Sequence, residues 1–478
     1  MQSEPKQTIP LVVDLDGTLI HSDMLHESSL ALLKMKPWDV LLLPIWILQG
    51  KAYLKKQIAK RVNLDVSCLP YNEEFLEFLK QEKYKGRRLV LCTASNERYA
   101  REVANHLGIF DEVLASNDRH NLAGRNKALF LVNSFGEKGF DYAGNSKTDK
   151  HVWSMAKHAY VVNGSQKLLL EVGNQFLLMK SFPRKSVGMF EWLKAIRLYQ
   201  WVKNALLFVP ILAAHQGFTY SVGLTLAWAF LAFGCCASFV YLTNDLFDLE
   251  SDRKHPRKKN RPFASGRLPL WQGIVMGVLL LVAAVLSANE VGENFFRWLA
   301  AYFVITSFYS WGLKKIVLID CLILAILYTL RIVAGGAAVG VPVSFWLLAF
   351  SIFLFLSLAF VKRYAELMLH HSQEIDRAHG RGYYVSDAGL IQQLGVTSGY
   401  AAVLVLALYL NSDNVLRLYK TPEIIWGAIP TILLWLSWMW LQAQRKNMHD
   451  DPIVFAIKDK VSLAIGLVFV ACFLAASL

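Results

Sequence analysis

The stretch Asn244–Gly266, NDLFDLESDRKHPRKKNRPFASG, decides how the second half of this chain folds and what it binds. Asp245, Asp248 and Asp252 are three, four and seven residues apart, a spacing that puts three carboxylates on one face of a helix. The apolar run Leu224–Leu242 comes directly before them, so they are predicted at the end of a membrane helix. Acidic side chains are costly there unless they bind a cation, and Mg²⁺ takes a few carboxylates together with diphosphate oxygens.

A basic cluster follows the carboxylates and is suited to holding a diphosphate; it comprises Lys254, Arg257, Lys258, Lys259, Arg261 and Arg267. The alternative is a solvated loop on the side of the membrane that favours positive charge. That alternative accounts for the basic residues but leaves the spacing of the aspartates unexplained. The sequence therefore favours a metal and diphosphate site.

The composition indicates a membrane protein with a soluble part. The chain has 478 residues, a formal net charge of +13 and 54% hydrophobic residues, and its length suggests at least two domains. Charged residues and short strands are mixed up to about Phe182, whereas long apolar runs follow Trp192. The basic excess lies in loops between these runs, which fits anionic lipid and phosphorylated substrates and argues against nucleic acid as a partner. The cysteines have no spacing typical of a metal site or a disulfide.

The apolar runs predict nine transmembrane helices, judged against the roughly 20 residues that cross a bilayer: about 205–216, 222–243, 270–288, 295–311, 317–338, 344–361, 394–411, 423–442 and 460–477. With the N-terminal half in the cytosol, the cytosolic loops hold the basic cluster together with Lys314, Lys315, Lys362, Arg363, Arg377, Arg381, Arg445, Lys446, Lys458 and Lys460. The opposite loops hold Arg417 and Lys420, with Arg297 near one edge. This asymmetry predicts a multi-pass protein of the bacterial inner (cytoplasmic) membrane, with its N-terminal domain and active sites facing the cytoplasm.

Further charged and polar residues cluster near the cytosolic ends of the predicted spans. They are Lys203 and Asn204 in RLYQWVKN, Lys315 in YSWGLKK, and Lys362 and Arg363 in KRYAEL. Snorkelling to the interface explains any single one of these basic side chains. Arg331 is different because it lies well inside an apolar run. An intramembrane arginine normally faces the interior of a helix bundle and pairs with another group.

These motifs carry a resemblance to a known family. Residues 186–478 resemble the UbiA-type polyprenyl transferase superfamily of nine-helix membrane enzymes, through the pattern NDxxDxxxD followed by NRPxxSG. Within that superfamily the sequence is similar to the branch of decaprenyl-phosphate phosphoribosyltransferases, which are 5-phosphoribose-1-diphosphate:polyprenyl-phosphate transferases. The segments that match this branch are Gln200–Asn204, His255–Gly266, Lys314–Asp320, Arg331–Gly336 and Lys362–Leu367.

The resemblance implies a Mg²⁺-dependent transfer of phosphoribose from phosphoribosyl diphosphate (PRPP) to a polyprenyl phosphate. By that resemblance Asp245 and Asp248 are catalytic and hold the metal, with Asn244 and Asp252 completing the metal set. The residues that bind the substrate phosphates are then Lys203, Asn204, Lys258, Arg261, Lys315, Arg331, Lys362 and Arg363. The lipid phosphate attacks the anomeric carbon of the ribose and diphosphate leaves, while the metal and the basic side chains stabilise the leaving charge.

Two alternatives remain at this point. Prenylation of an aromatic acceptor, with a prenyl diphosphate as the electrophile, would use the same site of aspartates and Mg²⁺. A channel or scaffold would leave the aligned carboxylates and Arg331 unexplained. The sequence leaves the prenyl chain length open, and it is compatible with a homo-oligomer.

The first half of the chain carries a second set of chemistry-bearing residues. VVDLDGTLIHSD begins with a short apolar strand, Ile9–Val13, and RLVLCTAS contains a second one, Arg88–Cys92. Polar residues follow these strands and a third strand that leads into FDYAGNSKTD: Asp14, Asp16, Thr93, Lys127, Asn145 and Asp149. Strands that alternate with helical segments predict a Rossmann-like parallel α/β sheet. Polar residues at successive strand ends predict a site at the carboxyl edge of that sheet.

Residues of about 8–170 resemble the haloacid dehalogenase superfamily of Mg²⁺-dependent phosphatases. The resemblance implies that Asp14 is the nucleophile and Asp16 the general acid/base, both catalytic, and that Thr93 and Lys127 bind the phosphoryl oxygens. The implied metal ligands are Asp14, Asp16, Asn145 and Asp149. Asn145 stands where the family usually has an aspartate, and a neutral ligand should weaken Mg²⁺ binding.

Residues of about 24–80 are predicted to form a largely helical cap between the first two motifs. Within it, Trp38–Leu48 (WDVLLLPIWIL) is too short to span a membrane and contains Pro44. The sequence favours a core helix of the cap for this segment over the alternative, a patch that faces the membrane.

The complete prediction is a chain of two parts. Residues 1–185 form a phosphatase domain of the haloacid dehalogenase type with its cap, and residues 186–478 form a membrane transferase. A basic linker near Met179–Glu191 joins them. The predicted partners are PRPP, the polyprenyl phosphate lipid and the membrane, and the predicted cofactor is Mg²⁺. The phosphatase domain is predicted to remove the 5-phosphate of the transferase product; the alternative is an inactive domain, or one that acts on soluble phosphate esters.

Overall fold

The computed structural model describes residues 9–117, 121–184, 187–214, 217–371, 382–412, 419–448 and 451–477. Arg377, Arg381 and Arg417, which entered the prediction of orientation, lie outside the described residues. The chain divides into two compact units. Unit 1 consists of Met1–Ile196 and Leu242–Gly277, and unit 2 consists of Arg197–Tyr241 and Val278–Leu478.

Unit 1 is built on a parallel sheet. Its strands are β1 Leu11–Val13, β2 Leu89–Asn96, β3 Glu112–Ser116, β4 Asp141–Gly144, β5 Ala159–Val162 and β6 Leu178–Phe182. Their order is β3-β2-β1-β4-β5-β6, and every pair is parallel. The predicted parallel α/β sheet is therefore confirmed. The order reverses at β1, so the carboxyl ends of β1, β2 and β4 meet at one edge, where ligands bind in sheets of this kind.

Alternating side chains of the central strands enter two separate cores. In β1, Leu11 and Val13 belong to one core, whereas Val12 belongs to the core on the opposite face. β2 follows the same alternation, because successive side chains of a strand point to opposite faces. Apolar residues at every position of these strands are thus explained by helices that cover both faces.

The helices of unit 1 begin and end at local signals. Asp23 caps the first of them by accepting hydrogen bonds from the backbone of Leu25 and His26, and Asn72 caps another through Phe75. The α-helices are Met24–Met35, Leu43–Leu48, Lys51–Arg61, Glu73–Tyr84, Glu97–Leu107, Gly124–Phe135, Lys150–Trp153, Gln166–Gln175, Met189–Ala195 and Leu249–Lys254. Short 3₁₀ helices cover Pro37–Leu42, Val66–Cys68, Lys147–Asp149 and Lys258–Asn260.

The predicted cap is helical, but one of its segments differs from expectation. Trp38–Leu48 is not a core helix: Trp38 is 81% exposed, Leu41 72% and Leu48 88%, and Trp46 alone in this segment is buried. The core interpretation was wrong because a 3₁₀ turn and a six-residue helix can bury only one side against the small core of the cap. That core consists of Leu32, Trp46, Leu54, Ile58 and Val62.

Unit 2 is helical, and two of its helices continue into unit 1. The α-helices of unit 2, including the two that continue into unit 1, are Val209–Ala213, Tyr220–Phe247, Leu270–Val291, Glu293–Trp311, Ile319–Val339, Phe345–His371, Ala388–Leu410, Ala428–Gln444, Pro452–Lys458 and Lys460–Ser477. The 3₁₀ helices are Leu198–Phe208, Leu313–Lys315, Val385–Asp387 and Pro422–Gly427. Close packing joins them: a Cβ atom on Gly395 would lie 2.2 Å from the Trp440 ring, so a larger residue there would push the two helices apart.

Seven helices in the described part of the chain are long and apolar enough to cross a membrane. They correspond to seven of the predicted spans, so the chain is a multi-pass membrane protein. The count of nine is not confirmed. Leu198–Ala213 is too short, and the helix Glu293–Trp311 is less apolar because it carries Glu293, Arg297 and several hydroxyl side chains.

Candidate functional site

Asp14 and Lys127 form the centre of the site at the sheet edge. Asp14 follows the last residue of β1, and Lys127 reaches it from the helix Gly124–Phe135. The Lys127 Nζ donates to Asp14 Oδ1 at 2.7 Å, and both side chains are buried. Burial raises the pKa of Asp14 to about 7, although Lys127 opposes the rise. Burial acts to lower the pKa of Lys127, but the neighbouring Asp14 outweighs it and the pKa is raised, so the lysine keeps its charge.

Asp16 is held by the end of β2 and by the start of the cap. Its Oδ2 accepts from Ser95 Oγ at 2.6 Å and from Thr93 Oγ1 at 3.4 Å. Its Oδ1 accepts from the backbone N–H of Met24 at 2.8 Å. Burial, reinforced by the charge of Asp23, raises the pKa of Asp16. A carboxyl group with a raised pKa close to Asp14 is suited to donate and accept a proton.

Asp149 and Asn145 complete this edge of the sheet. Asp149 Oδ2 accepts from the backbone N–H groups of Asn145 at 3.1 Å and Ser146 at 2.9 Å, which fixes its orientation. The Asn145 side chain lies against Gly17, where a Cβ atom would come within 2.0 Å of its Nδ2. Gly17 also has a φ of +72°, so both the backbone conformation and the lack of space for a side chain favour glycine at this turn after β1.

Tyr142 connects the lysine to the second carboxylate, a link that sequence reasoning missed. Its hydroxyl accepts from Lys127 Nζ at 3.0 Å and donates to Asp149 Oδ1 at 2.9 Å. In the sequence Tyr142 is an aromatic residue inside a buried strand, which is the pattern of a core residue. Nothing in the pattern indicates that its hydroxyl lies between two predicted site residues.

The structure brings the predicted residues of this site together, and their donor atoms suit a hard cation. Carboxylate and amide oxygens are the ligands that Mg²⁺ takes in proteins. Asp16 and Asp149 are close enough to raise the pKa of Asp14, so a divalent cation would relieve their mutual repulsion. Within the described ranges, no group of three or more His, Cys, Asp or Glu side chains is arranged to hold a metal ion as it stands. The metal ligands proposed from the sequence therefore remain a prediction.

The acid loop, defined here as residues 244–267, departs from the expected geometry. The helix Tyr220–Phe247 ends before Asp248, whose φ of −99° and ψ of 16° interrupt it, and a new helix begins at Leu249. The premise of three carboxylates on one continuous helix was therefore wrong. Asp245 and Asp252, seven residues apart, still come together at Arg261, whereas Asp248 lies beside Lys34.

Asp245 and Asp252 converge on Arg261. The Arg261 NH1 atom donates to Asp245 Oδ1 at 2.9 Å and to Asp252 Oδ2 at 2.6 Å, and both carboxylates are buried. Burial raises the pKa of Asp252, although Arg261 opposes the rise. Since two carboxylate oxygens lie within hydrogen-bond distance of one nitrogen, they can share a cation, and the donor set fits Mg²⁺.

The remaining loop residues that were assigned to the site lie elsewhere. Asp248 Oδ1 lies 3.5 Å from the Lys34 Nζ, and that ammonium group also donates to the Phe247 carbonyl at 2.8 Å. Asn244 is half-buried at the end of the helix, and Lys258 is exposed.

The cap of unit 1 holds the acid loop through a buried ion pair. Arg253 donates to both oxygens of Glu27, at 2.6 and 3.1 Å, and neither side chain is more than a tenth exposed. A more exposed pair joins Lys254 to Asp65 at 2.9 Å. At the end of the loop, Gly266 has a φ of +71°, and a Cβ atom there would lie 2.6 Å from the His21 Cβ. Sequence reasoning missed these contacts because they join residues more than 180 positions apart.

In unit 2 two lysines share one buried carboxylate. Asp451 Oδ2 lies 2.8 Å from the Lys203 Nζ and 3.1 Å from the Lys362 Nζ, and it also accepts from the Tyr328 hydroxyl at 3.1 Å. Burial acts to raise the pKa of Asp451, but the two lysines outweigh it and hold the pKa well below its usual range. The cluster keeps a net positive charge because one carboxylate faces two ammonium groups. Asp451 was missed; it stands before Pro452, where the sequence indicates only a helix cap.

Arg331 is buried in unit 2 with neutral hydrogen-bond partners. Its Nε donates to Asn204 Oδ1 at 3.2 Å, its NH1 to the Leu327 carbonyl at 2.7 Å and its NH2 to the Tyr302 hydroxyl at 2.9 Å. Its guanidinium carbon also lies 4.7 Å from the centroid of the Tyr302 ring. Among the hydrogen bonds of the described residues, none gives Arg331 a carboxylate. A buried guanidinium of this kind attracts an anionic ligand.

Two other predicted residues of unit 2 have different surroundings. The Arg363 NH2 lies 2.5 Å from Asp320 Oδ2, and its NH1 pairs with Glu366. Tyr383 donates to the same Asp320 at 2.6 Å. Arg363 thus contacts carboxylates of its own unit, and Lys315 is exposed. Their assignment to substrate binding stays a prediction.

Comparison with known protein families identifies both parts of the chain. The model of the UbiA prenyltransferase family matches residues 205–466. The model of haloacid dehalogenase-like hydrolases matches residues 11–139. The N-terminal part is thus a haloacid dehalogenase-like domain, and the C-terminal part is a UbiA prenyltransferase domain.

Three relatives are similar over large shares of their length. The uncharacterized protein y4nM of Sinorhizobium fredii is 36% identical over 98% of this chain and 91% of its own length. Nodulation protein NoeC of Azorhizobium caulinodans is 35% identical over 58% of this chain and 92% of its own length. Decaprenyl-phosphate phosphoribosyltransferase of Mycolicibacterium smegmatis is 30% identical over 56% of this chain and 86% of its own length.

Proposed function

Because the chain belongs to the UbiA prenyltransferase family, we propose that it transfers phosphoribose from PRPP to a polyprenyl phosphate. We further propose that its haloacid dehalogenase-like domain removes the 5-phosphate of the product. The observation that carries the first step is Arg331, a buried cation whose described hydrogen-bond partners are neutral. Such a cation suits a site for phosphate groups, since PRPP carries a diphosphate and a 5-phosphate and the lipid substrate carries one phosphate. The similarity to decaprenyl-phosphate phosphoribosyltransferase supports the same choice.

The residues of unit 2 would bind and orient phosphate. Lys203 and Lys362 are held in place by Asp451, so their ammonium groups are oriented before a ligand arrives. Arg331 is fixed by Asn204 and Tyr302. Preorganised cations of this kind stabilise charge that develops on a leaving group without having to rearrange.

The acid loop would hold the diphosphate end of PRPP. Asp245 and Asp252 would bind Mg²⁺, with Asp248 and Asn244 as the further ligands predicted from the sequence. When bound, the metal would neutralise charge on the departing diphosphate. Arg261, which contacts both buried carboxylates, would remain close enough to donate to diphosphate oxygens. An oxygen of the lipid phosphate forms a bond to the anomeric carbon as the bond from that carbon to diphosphate breaks.

The sheet-edge site would then act on the product. Asp14 attacks the phosphorus of the 5-phosphate and forms an aspartyl phosphate, while Asp16 gives its proton to the departing ribose oxygen. Lys127 and Thr93 hold the phosphoryl oxygens. Water, deprotonated by Asp16, then hydrolyses the aspartyl phosphate and releases inorganic phosphate. The raised pKa of Asp16 fits a group that must carry a proton into the first step.

Fusing the two activities would raise the concentration of substrate at the second site. Two modules joined by a short flexible linker reach effective concentrations of about a millimolar. Both sites would face the cytoplasm at the bacterial inner membrane, because the basic loops predict that side.

The proposal is tested by identifying the lipid product. Full-length protein in lipid nanodiscs is incubated with labelled PRPP, Mg²⁺ and polyprenyl phosphate, and the lipid is analysed by mass spectrometry. Wild type should yield polyprenyl-phosphoryl ribose and inorganic phosphate. The Asp14→Asn variant should accumulate the same lipid with its 5-phosphate still attached.

Two outcomes would contradict the proposal at different points. Transfer of a prenyl group to 4-hydroxybenzoate, without incorporation of label from PRPP, would assign the chain to the alternative that uses an aromatic acceptor. Identical lipid products from wild type and Asp14→Asn would show that the phosphatase-like domain does not act on the transferase product.

A further inference from the structure

The cap carries an apolar surface that its own fold does not cover. The cap patch, defined as the apolar residues of 35–48 that are more than half exposed, comprises Met35, Trp38, Leu41, Ile45, Ile47 and Leu48. These side chains lie close together in sequence, from the last residue of the helix Met24–Met35 through the 3₁₀ turn Pro37–Leu42 to the short helix Leu43–Leu48. Large contiguous apolar surfaces of this kind mark a contact with a partner or a membrane.

The segment that carries the cap patch is fixed to the rest of the cap by packing and by an ion pair. Trp46 is buried in the small core of the cap, and the Arg61 guanidinium carbon lies 4.6 Å from the centroid of its ring. Arg61 also pairs with Asp39 at 3.2 Å. The segment therefore presents its apolar side outward in a fixed conformation.

The charges around the cap patch match an anionic lipid surface. Between Leu33 and Arg61 the basic residues are Lys34, Lys36, Lys51, Lys55, Lys56, Lys60 and Arg61, whereas Asp39 is the one acidic residue. Asp39 is itself paired with Arg61. Basic residues that flank apolar and tryptophan side chains are typical of segments that lie in a membrane interface. A protein partner would not require this excess of positive charge.

The location of the domain adds to this argument. Unit 1 contains residues 270–277, the first part of the candidate span Leu270–Val291, so this unit extends to the surface of the bilayer. From these observations we propose that the segment Pro37–Leu48 lies in the headgroup region of the membrane, with the cap patch in contact with lipid.

The cap patch is connected to the phosphatase-like site on both sides. The helix before it begins at Met24, whose N–H binds Asp16. The helix after it carries Lys55, whose Nζ donates to the Ala94 carbonyl at 2.8 Å, next to Thr93. Insertion of the segment would therefore keep the sheet-edge site close to lipid headgroups. This consequence rests on the proposed function, since it names a phosphate carried by a lipid as the substrate class of that site.

The insertion itself is tested without any catalytic readout. Cys68 and Cys472, the two cysteines that are partly exposed, are first replaced by serine in the full-length protein. A single cysteine is then introduced as Leu41→Cys or Leu48→Cys, labelled with an environment-sensitive nitrobenzoxadiazole dye and studied in nanodiscs with anionic lipid. Tyr84→Cys is the matched control, because Tyr84 is 94% exposed at the end of the helix Glu73–Tyr84, which packs on the sheet.

The expected result is a blue-shifted emission at positions 41 and 48 and a loss of more than half of the signal when spin-labelled lipids are included. The label at position 84 should show neither effect. Charge reversal by Lys36→Glu with Lys51→Glu should weaken the contact with anionic lipid, so the label at position 41 should recover most of the emission that spin-labelled lipids quench. Emission at 41 and 48 equal to that at 84 would overturn the proposal. A blue shift that depends on protein concentration and not on spin-labelled lipid would overturn it too, because a second copy of the chain would then cover the patch.

A second arm addresses the substrate class. Leu41→Gln with Leu48→Gln should reduce hydrolysis of a lipid phosphate about tenfold while hydrolysis of p-nitrophenyl phosphate stays unchanged. Equal loss on both substrates would overturn the link between insertion and substrate class. Absence of hydrolysis in wild type would count against the proposed function and leave the insertion to be decided by the quenching result.

Discussion

The sheet-edge site and the acid loop both gather buried aspartates beside a basic residue, but they do so by different means. At the sheet edge, Asp14 and Lys127 follow from one α/β fold, in which parallel strands bring their carboxyl ends together. In the acid loop, Asp245 and Asp252 meet across a break in a helix. The loop also depends on the cap, since Glu27 binds Arg253 and Lys34 lies beside Asp248.

The sequence spacing of a set of carboxylates therefore predicts their positions in space well in one setting and poorly in another. Where site residues follow the ends of parallel strands, the sequence motif predicts their positions correctly, because the sheet fixes where each strand ends. Where a loop sets them, the same spacing permits several arrangements, and distant partners select among them. The comparison also predicts that the two activities differ in their sensitivity to mutation. Substitutions in the cap should lower the activity of the acid loop, whereas the activity of the sheet-edge site should depend mainly on its own residues.

The largest expected effect comes from Asp245→Asn. The substitution removes one of the two carboxylates that meet at Arg261, so the diphosphate site loses a predicted metal ligand. Transfer of label from PRPP to lipid should fall about 100- to 1,000-fold, while phosphatase activity on p-nitrophenyl phosphate stays unchanged. Glu250→Gln is the control, since Glu250 is exposed in the same loop and pairs with Lys254. Near-normal transfer by Asp245→Asn would remove the acid loop from the active site.

A smaller effect is expected when the cap is uncoupled from the acid loop. Glu27→Gln leaves Arg253 buried without its carboxylate, which should destabilise the protein by about 3 to 5 kcal/mol. The melting temperature in detergent, followed by tryptophan fluorescence, should fall by several degrees, and transfer from PRPP should fall with it.

A double-mutant cycle with Arg253→Gln isolates the energy of this pair. The exposed pair of Lys254 and Asp65 provides the comparison, and its coupling energy should be much smaller because solvent screens the two charges. Equally small coupling energies from the two cycles would show that the buried pair of Glu27 and Arg253 does not hold the acid loop in place.

The smallest effect is predicted for Asn145→Asp, which restores the usual acidic ligand at the sheet edge. The added negative charge should strengthen Mg²⁺ binding, so the Mg²⁺ concentration for half-maximal phosphatase activity should fall about tenfold. Asn126→Asp adds the same charge at an exposed position beside Lys127 and should leave that concentration unchanged. An unchanged Mg²⁺ requirement in Asn145→Asp would show that residue 145 does not contact the metal.

Much of the fold and part of the candidate site follow from the sequence. The strand before Asp14 and most of the strand that contains Thr93 could be predicted because short apolar runs ended in polar residues, and the parallel sheet followed from their alternation with helices. The apolar runs of the second half predicted seven spans that the structure also has. Tyr142 and Asp451 could not be predicted, because an aromatic residue in a strand and an aspartate before proline have ordinary structural roles.

From the sequence alone one could predict the membrane character of the second half and propose the residues that carry chemistry in each domain. These follow from local patterns: strand ends, apolar length and the spacing of charges. Three features became visible in the folded chain alone: the helix is interrupted at Asp248, Glu27 in the cap binds Arg253, and the residues of Trp38–Leu48 other than Trp46 remain outside the core. The physical reason is that burial and ion pairing depend on which distant segments meet, and residues such as Glu27 and Arg253 become neighbours only when the chain is folded.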